Sequence, residues 1–221
     1  MIDIVILSYA KTPELKKITE DCIDSLISSE PLGTFNIIIL ESHKNIYYSG
    51  VKTVHPDMPF NYNAYCNFGA KLGKSEHICF CNNDLIFSKG WASELLKFGL
   101  PSMSPKCPNN PLQSDFTHLH LGTETSRHIS GWCIFLKRSL WDSICGFDED
   151  FEFWCADDSY REQLKYHNIN HYLVATSLVT HLGSQTINTM PVDLVNHYTK
   201  EQARKYNKKF NKNFFGKRKM I

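Results

Sequence analysis

Three oxygen-bearing side chains, Asn82, Asn83 and Asp84, interrupt an apolar run that begins Ile78-Cys79-Phe80-Cys81 and resumes Leu85-Ile86-Phe87. Oxygen ligands gathered at a strand end are what a hard divalent cation needs, and in α/β folds that end is where ligands bind. The same three residues also suit a tight reversal of the chain. Two adjacent acids occur in Trp154-Cys155-Ala156-Asp157-Asp158-Ser159-Tyr160. Either could accept a proton as a general base; either could instead cap a helix carrying Tyr160 to Tyr166, where an acid contributes ~1 kcal/mol. His181 closes the apolar run Leu178-Val179-Thr180 and can ligate a metal or simply pack at a strand end. Cys66, Cys79 and Cys81 with His77 hold zinc-type ligands. No Cys-x-x-Cys pair occurs and adjacent strand residues face opposite sides, so no zinc cluster is expected.

These residues need a scaffold, and the chain alternates strand and helix signals. Residues 2–8 read as a strand, followed by a helix from about Pro13 to Ser29 with Leu15, Ile18, Cys22 and Leu26 at spacings of three and four. Thr12 and Pro13 fit a cap and a first-turn proline. A strand over 35–40, a polar stretch over 43–59, a helix carrying Tyr65, Phe68 and Leu72, a strand over 77–81 and a helix over Trp91 to Phe98 come next. That order implies a mostly parallel sheet. Residues 101–128, rich in Pro, Asn, Ser, Thr and His, read as a long loop suited to recognising a second substrate.

The chain has 221 residues, 42% hydrophobic and 13% aromatic, enough for one good core, so one domain is expected. A net charge of +1 excludes a surface that seeks polyanions as a whole. No apolar run approaches the ~20 residues that span a bilayer, and no basic segment precedes the first apolar one, so a cytoplasmic location is expected. Of the 8 cysteines, Cys22, Cys79 and Cys133 lie in periodic apolar segments, where a free thiol acts as a small hydrophobe.

Gly146-Phe147-Asp148-Glu149, Phe153 to Tyr160, and Val179-Thr180-His181-Leu182-Gly183-Ser184 follow Asn82-Asn83-Asp84 in an order, and at separations, that resemble the nucleotide-sugar transferases of the GT-A fold, specifically glycosyltransferase family 2. The resemblance covers about residues 1–185. It implies a single α/β, Rossmann-like GT-A domain, with a nucleotide-sugar half over about 1–100 and an acceptor half over about 101–185, followed by a basic helical extension over 186–221. It further implies a nucleotide-sugar donor, UDP-linked in the expected case, and a divalent metal, Mn²⁺ or Mg²⁺. Asp84 keeps a ligand position of the Asp-x-Asp motif, whose first acid is here Asn82, and His181 becomes the second ligand. Ser8 and Tyr9 after the first strand, Glu41 after the second, Asn63 and Asn67 beneath the diphosphate, Asn82 and Asn83, and the pair Gly131-Trp132 become donor-binding residues. Asp148 and Glu149 are expected to shape a turn or touch the acceptor.

Such a transferase needs negative charge stabilised on the departing phosphate and a base for the acceptor hydroxyl. Two registers compete for the base. Counting back from Asn168, which can replace glycine at a helix end, gives Asp157. Counting from Trp154, as in Trp-Gly-x-Glu-Asp, gives Asp158. Asp157 is placed slightly ahead. A catalytically silent nucleotide-sugar- or nucleic-acid-binding module on the same fold, with the basic C-terminal tail as its working surface, is the alternative, and Asn82 is its best argument.

Lys200, Arg204, Lys205, Lys208, Lys209, Lys212, Lys217, Arg218 and Lys219 crowd the C-terminal segment, with Tyr206, Phe210 and Phe214 at a spacing of four. A helix packed on the domain with solvated lysines is one expectation; contact with DNA phosphates or an anionic membrane is the other. An Asn-, Lys- and Ile-rich composition suggests a phage enzyme, for which a hydroxymethylated DNA base is one acceptor class beside a glycan or a protein. The oligomeric state is not indicated.

Overall fold

The protein is described from a computed structural model covering residues 1–183, 185 and 192–212, excepting the Leu194 and His197 side chains. Ser184, Phe214, Lys217, Arg218 and Lys219, all named above, lie outside the described residues.

The apolar run Ile2–Ser8 forms strand β1, buried along its whole length. Such a strand must be covered on both faces. Ile2, Ile4 and Ile6 enter one core with Cys22, Ile23 and Leu26 of α1 (Pro13–Ser29) and Trp91, Ala92 and Leu95 of α3 (Trp91–Phe98). Val5 and Leu7 enter the other with α2 (Tyr62–Lys71), α4 (Arg138–Ser143) and α5 (Ala156–Tyr166). Each fully buried Ile or Leu adds about 1.5–3 kcal/mol over its exposed state. Thr12 caps α1 by accepting the Leu15 N–H at 3.3 Å, with Pro13 in the first turn, as the sequence implies. Gly69 lets α2 lie on β1, since a Cβ there would stand 2.4 Å from Val5 Cγ1.

The strands β2 (Phe35–Glu41), β3 (Lys52–Val54), β4 (His77–Asn82), β5 (Leu85–Phe87), β6 (Ser102–Lys106), β7 (Leu119–Leu121), β8 (Cys133–Lys137) and β9 (Tyr172–His181) complete the sheet. Their order is β3-β2-β1-β4-β8-β6-β9-β5, with β7 on β9. Six strands run one way; β5, β7 and β8 run against them. The central sheet is mostly parallel, as expected.

The 101–128 segment differs from the loop expected of it. Ser102-Met103-Ser104-Pro105-Lys106 is a buried strand between β8 and β9. Ser102 pairs internally: its Oγ stands 2.6 Å from Tyr160 Oη and 2.8 Å from His171 Nδ1. Pro105 is accommodated where the register shifts between Pro105 and Lys106.

The C-terminal helix α6 (Val192–Phe210) packs on the domain through Tyr206 and Phe210, which meet Phe151 and Cys155. No described helix is long and apolar enough to cross a membrane.

Candidate active site

Chain order turns back at β1. β2 pairs with one of its edges and β4 with the other, so the carboxyl ends of β1 and β4 open a crevice at a topological switch point, where α/β sheets bind ligands. Leu7 lies opposite Asn82, which brings Ser8 and Tyr9 beside Asn82-Asn83-Asp84. The antiparallel pair β5–β9 sets Leu85 against His181 and so holds Asp84 next to it. These residues line a cleft of about 500 Å³ together with Lys11, Phe60, Tyr62, Trp154 and Gln185.

Asp84 is 3% exposed, and its Oδ1 stands 3.2 Å from His181 Nε2. Neither atom has a hydrogen-bond partner; they approach without hydrogen-bond geometry. Two buried lone pairs facing one space repel unless a proton or a cation lies with them. Neighbouring ligands on an octahedral ion with bonds of about 2.1 Å stand about 3 Å apart, so the pair fits a hard divalent cation. Both ligands are held from behind. Asp84 O accepts the Leu182 N–H at 2.9 Å, and Asp84 Oδ2 accepts the Gln185 N–H at 3.5 Å. The His181 ring stacks on Trp132 with centroids 5.5 Å apart and planes 15° apart.

A buried polar chain fixes the β1 side of the cleft. Ser8 Oγ contacts Thr19 Oγ1 and Tyr48 Oη, each at 3.1 Å, and Asn83 donates to Thr19 Oγ1 at 2.8 Å. Tyr48 Oη donates to Glu41 Oε2 at 2.8 Å, and Glu41 Oε1 accepts the Ala10 and His43 N–H groups at 3.1 and 2.7 Å. Burial pushes the Tyr48 hydroxyl up to about 12, so it stays a donor. Glu41 is wholly buried and absent from the cleft lining: it ties down the loops after β1 and β2 instead of facing the cleft. Tyr9 does face it, with Lys11 Nζ 4.6 Å from its ring centre.

Asn63 and Asn67 also face elsewhere. Asn63 donates to Asp148 O at 2.8 Å, and Asn67 donates to Phe147 O at 2.9 Å and Glu149 Oε1 at 2.7 Å. They staple α2 to the turn after Gly146, which gives Asp148 and Glu149 the turn-shaping role expected of them.

Gly131 and Trp132, just before β8, join the two halves of the site. Trp132 O accepts the Asn82 N–H at 2.9 Å, and Gly131 O accepts the Tyr62 hydroxyl. A Cβ at Gly131 would lie 3.3 Å from Asp157 Cβ, so glycine admits Asp157 at close range. Both landmarks used to count toward the base are real backbone features: Cys155 takes φ 61 where Trp-Gly has its glycine, and Asn168 takes φ 55 at the end of α5. The side chains separate the two acids. Asp158 is 2% exposed and its Oδ1 accepts from Thr125 Oγ1 and Arg161 Nη1, both at 2.9 Å. Asp157 is half-buried against Gly131 and is not among the residues lining the cleft, to which its neighbour Trp154 belongs.

Three tail lysines pair with the segment carrying these acids. Lys205 reaches Glu152 at 3.1 Å, Lys209 reaches Asp148 and Asp150 at 2.7 Å each, and Lys212 lies 3.7 Å from Glu162. The Tyr206 hydroxyl donates to Glu162 at 2.9 Å and accepts from Arg161 Nη2 at 2.6 Å. Burial pushes the Glu162 carboxyl up, but Tyr206 and Arg161 outweigh it and hold it below its ordinary value. The helix packs on the domain, as one expectation had it, but Lys205, Lys209 and Lys212 are paired with acids where solvated lysines were expected. Sequence reasoning missed that Val195, Tyr198 and Gln202 line the cleft; their spacing of three and four was the signal available.

Among the described residues, the thiols of Cys79, Cys81 and Cys133 are the one convergent group of three His, Cys, Asp or Glu side chains, with Sγ separations of 3.5, 3.6 and 3.9 Å. Residues two apart on a strand share a face, which the expectation for Cys79 and Cys81 overlooked. The group is wholly buried among Ile4, Ile6, Met103 and Phe135, outside the cleft, and is read as packing.

No family model matches the chain. Over an aligned length of 199 residues it is 23% identical to the O-antigen biosynthesis protein RfbC of Myxococcus xanthus, an alignment covering 70% of this chain and 15% of that protein. The chain thus spans a small part of that curated relative. Its fold is similar to residues 1–349 of S. aureus TarS, with TM-score 0.63, 10% identity, and coverage of 100% of this chain and 75% of that one. It is also similar to the mannosyltransferase PcManGT from Pyrobaculum calidifontis, solved with GDP-Man and Mn²⁺, with TM-score 0.60, 13% identity, and coverage of 81% and 56%. The fold is GT-A, as the sequence motifs imply.

Proposed function

We propose that this chain is a metal-dependent glycosyltransferase that moves a sugar from a nucleoside diphosphate to a hydroxyl acceptor with inversion. The observation that carries the reading is the unpartnered pair Asp84 Oδ1 and His181 Nε2, 3.2 Å apart at the switch-point cleft of a GT-A fold. Asp84 and His181 would hold a divalent cation, Mn²⁺ or Mg²⁺, which when bound supplies positive charge to the departing diphosphate. PcManGT, of the same fold, was solved with Mn²⁺ and a nucleotide sugar.

The chain's own residues do the rest. Ser8, Tyr9, Asn82 and Asn83 border the donor in the cleft, while Glu41, Asn63 and Asn67 act behind it by fixing loops. Tyr62 and Trp132 fix the Gly131 turn between the metal ligands and the acid. Asp157 is the general base that takes the proton from the acceptor hydroxyl. Asp158, locked by Arg161 and Thr125, keeps α5 in place. Attack of the acceptor oxygen on the anomeric carbon with Asp157 taking its proton is a single displacement, which inverts the anomeric centre.

Titrating UDP and GDP into the protein with and without Mn²⁺, and following slow hydrolysis of UDP- and GDP-sugars, tests the reading. Binding of one nucleotide strengthened by Mn²⁺ is expected. Nucleotide binding indifferent to chelator would remove the metal, and no hydrolysis of any donor would favour a silent binding module. A DNA acceptor loses the part of its support that came from Lys205, Lys209 and Lys212, because these are engaged with acids of the domain.

A further inference from the structure

Helix α6 lies beyond the stretch that carries the glycosyltransferase motifs, yet it closes the cleft. Val195, Tyr198, Gln202, Lys205 and Lys209 recur at alternating spacings of three and four and so form one face of the helix, with Lys212 following just past its end. The chemistry of that face changes along its length. Its lysines hold the acidic segment 148–162, while Val195, Tyr198 and Gln202 line the cleft.

We propose that α6 is the acceptor wall of the cleft, and that Tyr198 and Gln202 hold a neutral saccharide acceptor. The proposal rests on the glycosyltransferase reading above. Phe60, Phe153 and Tyr198 line the cleft and are 44%, 38% and 39% exposed, so each presents aromatic surface to it. Flat apolar rings match the C–H faces of a sugar. Gln202 is 1% exposed and its Oε1 accepts the Glu152 N–H at 3.2 Å, so what its amide can offer a ligand is the NH₂ group. A base could stack on the same rings, but a nucleic-acid strand also needs a cationic track for its phosphates. The charged side chains of the lining are Lys11 against Asp84 and Glu152, and Lys205, Lys209 and Lys212 beyond it already face carboxylates. The balance favours an uncharged acceptor.

The test uses the full chain with Mn²⁺ and whichever UDP- or GDP-sugar it hydrolyses, offered a panel of p-nitrophenyl glycosides and, separately, duplex DNA containing 5-hydroxymethylcytosine. Transfer to a glycoside is expected. Tyr198→Ala, and Gln202→Glu, which keeps an acceptor for the Glu152 N–H but removes the NH₂, should each raise the KM for that glycoside by about 3- to 10-fold, the range for losing one ring contact or one hydrogen bond. The Kd for the nucleotide should stay as in the wild type, which separates acceptor binding from a general loosening of the cleft. Transfer to the DNA alone, donor hydrolysis without transfer to any glycoside, or an unmoved KM in both variants overturns the proposal. Absence of donor hydrolysis in the wild type overturns the transferase reading beneath it.

Discussion

One wall of the cleft is made of strand ends, where Leu7 stands opposite Asn82 and Leu85 opposite His181; the other is made of a loop and a helix fastened by side chains. In the first, backbone register alone decides which residues meet, and shifting a strand by one residue would turn every side chain to the wrong face. In the second, position depends on contacts such as Tyr206 with Glu162 and Lys209 with Asp148. Strand ends suit chemistry that must not vary, the grip on a diphosphate. A side-chain-fastened helix suits a surface whose partner can change with a few substitutions.

The largest expected effect lies on the strand wall. Asp84→Ala should remove the metal-dependent part of nucleotide binding altogether while the fold stays intact, measured by calorimetry with and without Mn²⁺; an unchanged Mn²⁺ response would place the metal elsewhere. At the junction of the walls the two acids should part. Asp157→Asn should keep nucleotide affinity and lower turnover by about 10²- to 10⁴-fold. Asp158→Asn should instead destabilise the protein by about 3 kcal/mol, because it strips the carboxylate from a largely buried ion pair with Arg161. A dead but fully stable Asp158→Asn would show that the Trp154 register names the base.

The smallest effect concerns pH and the helix wall. Lys209 holds the Asp150 carboxyl below its ordinary value, and Tyr206 and Arg161 do the same for Glu162 against the opposing pull of burial. Carboxylates lowered in the folded state bind fewer protons there than when unfolded. Their contribution is therefore present above about pH 4 and lost as pH falls through their folded values. Amide hydrogen exchange should show α6 opening in acid before β1 and β4 do. Simultaneous opening of both walls would erase the contrast.

The same contrast explains what was legible in the sequence. β1, α1 and α3 were readable because their burial follows a period, and Asp84 and His181 because each ends an apolar run. β6 was not, because Ser102, Ser104 and Pro105 read as loop residues, and the partners that let Ser102 be buried, Tyr160 and His171, lie far along the chain. Glu41, Asn63 and Asn67 carried the right chemistry, but sequence does not say whether an amide or carboxylate will face a ligand or a neighbouring loop. The tail lysines looked solvated because the acids that meet them sit about 50 residues upstream.

The fastening of α6 also shapes how such a protein can diversify. Its hold on the domain runs through one small aromatic contact and a handful of charges, with no strand pairing to respect. In the reading proposed above, drift within the Val195–Tyr198–Gln202 stretch would redirect the enzyme to a new acceptor and leave the sheet untouched. Selection can then act on what is decorated independently of the machinery that decorates it.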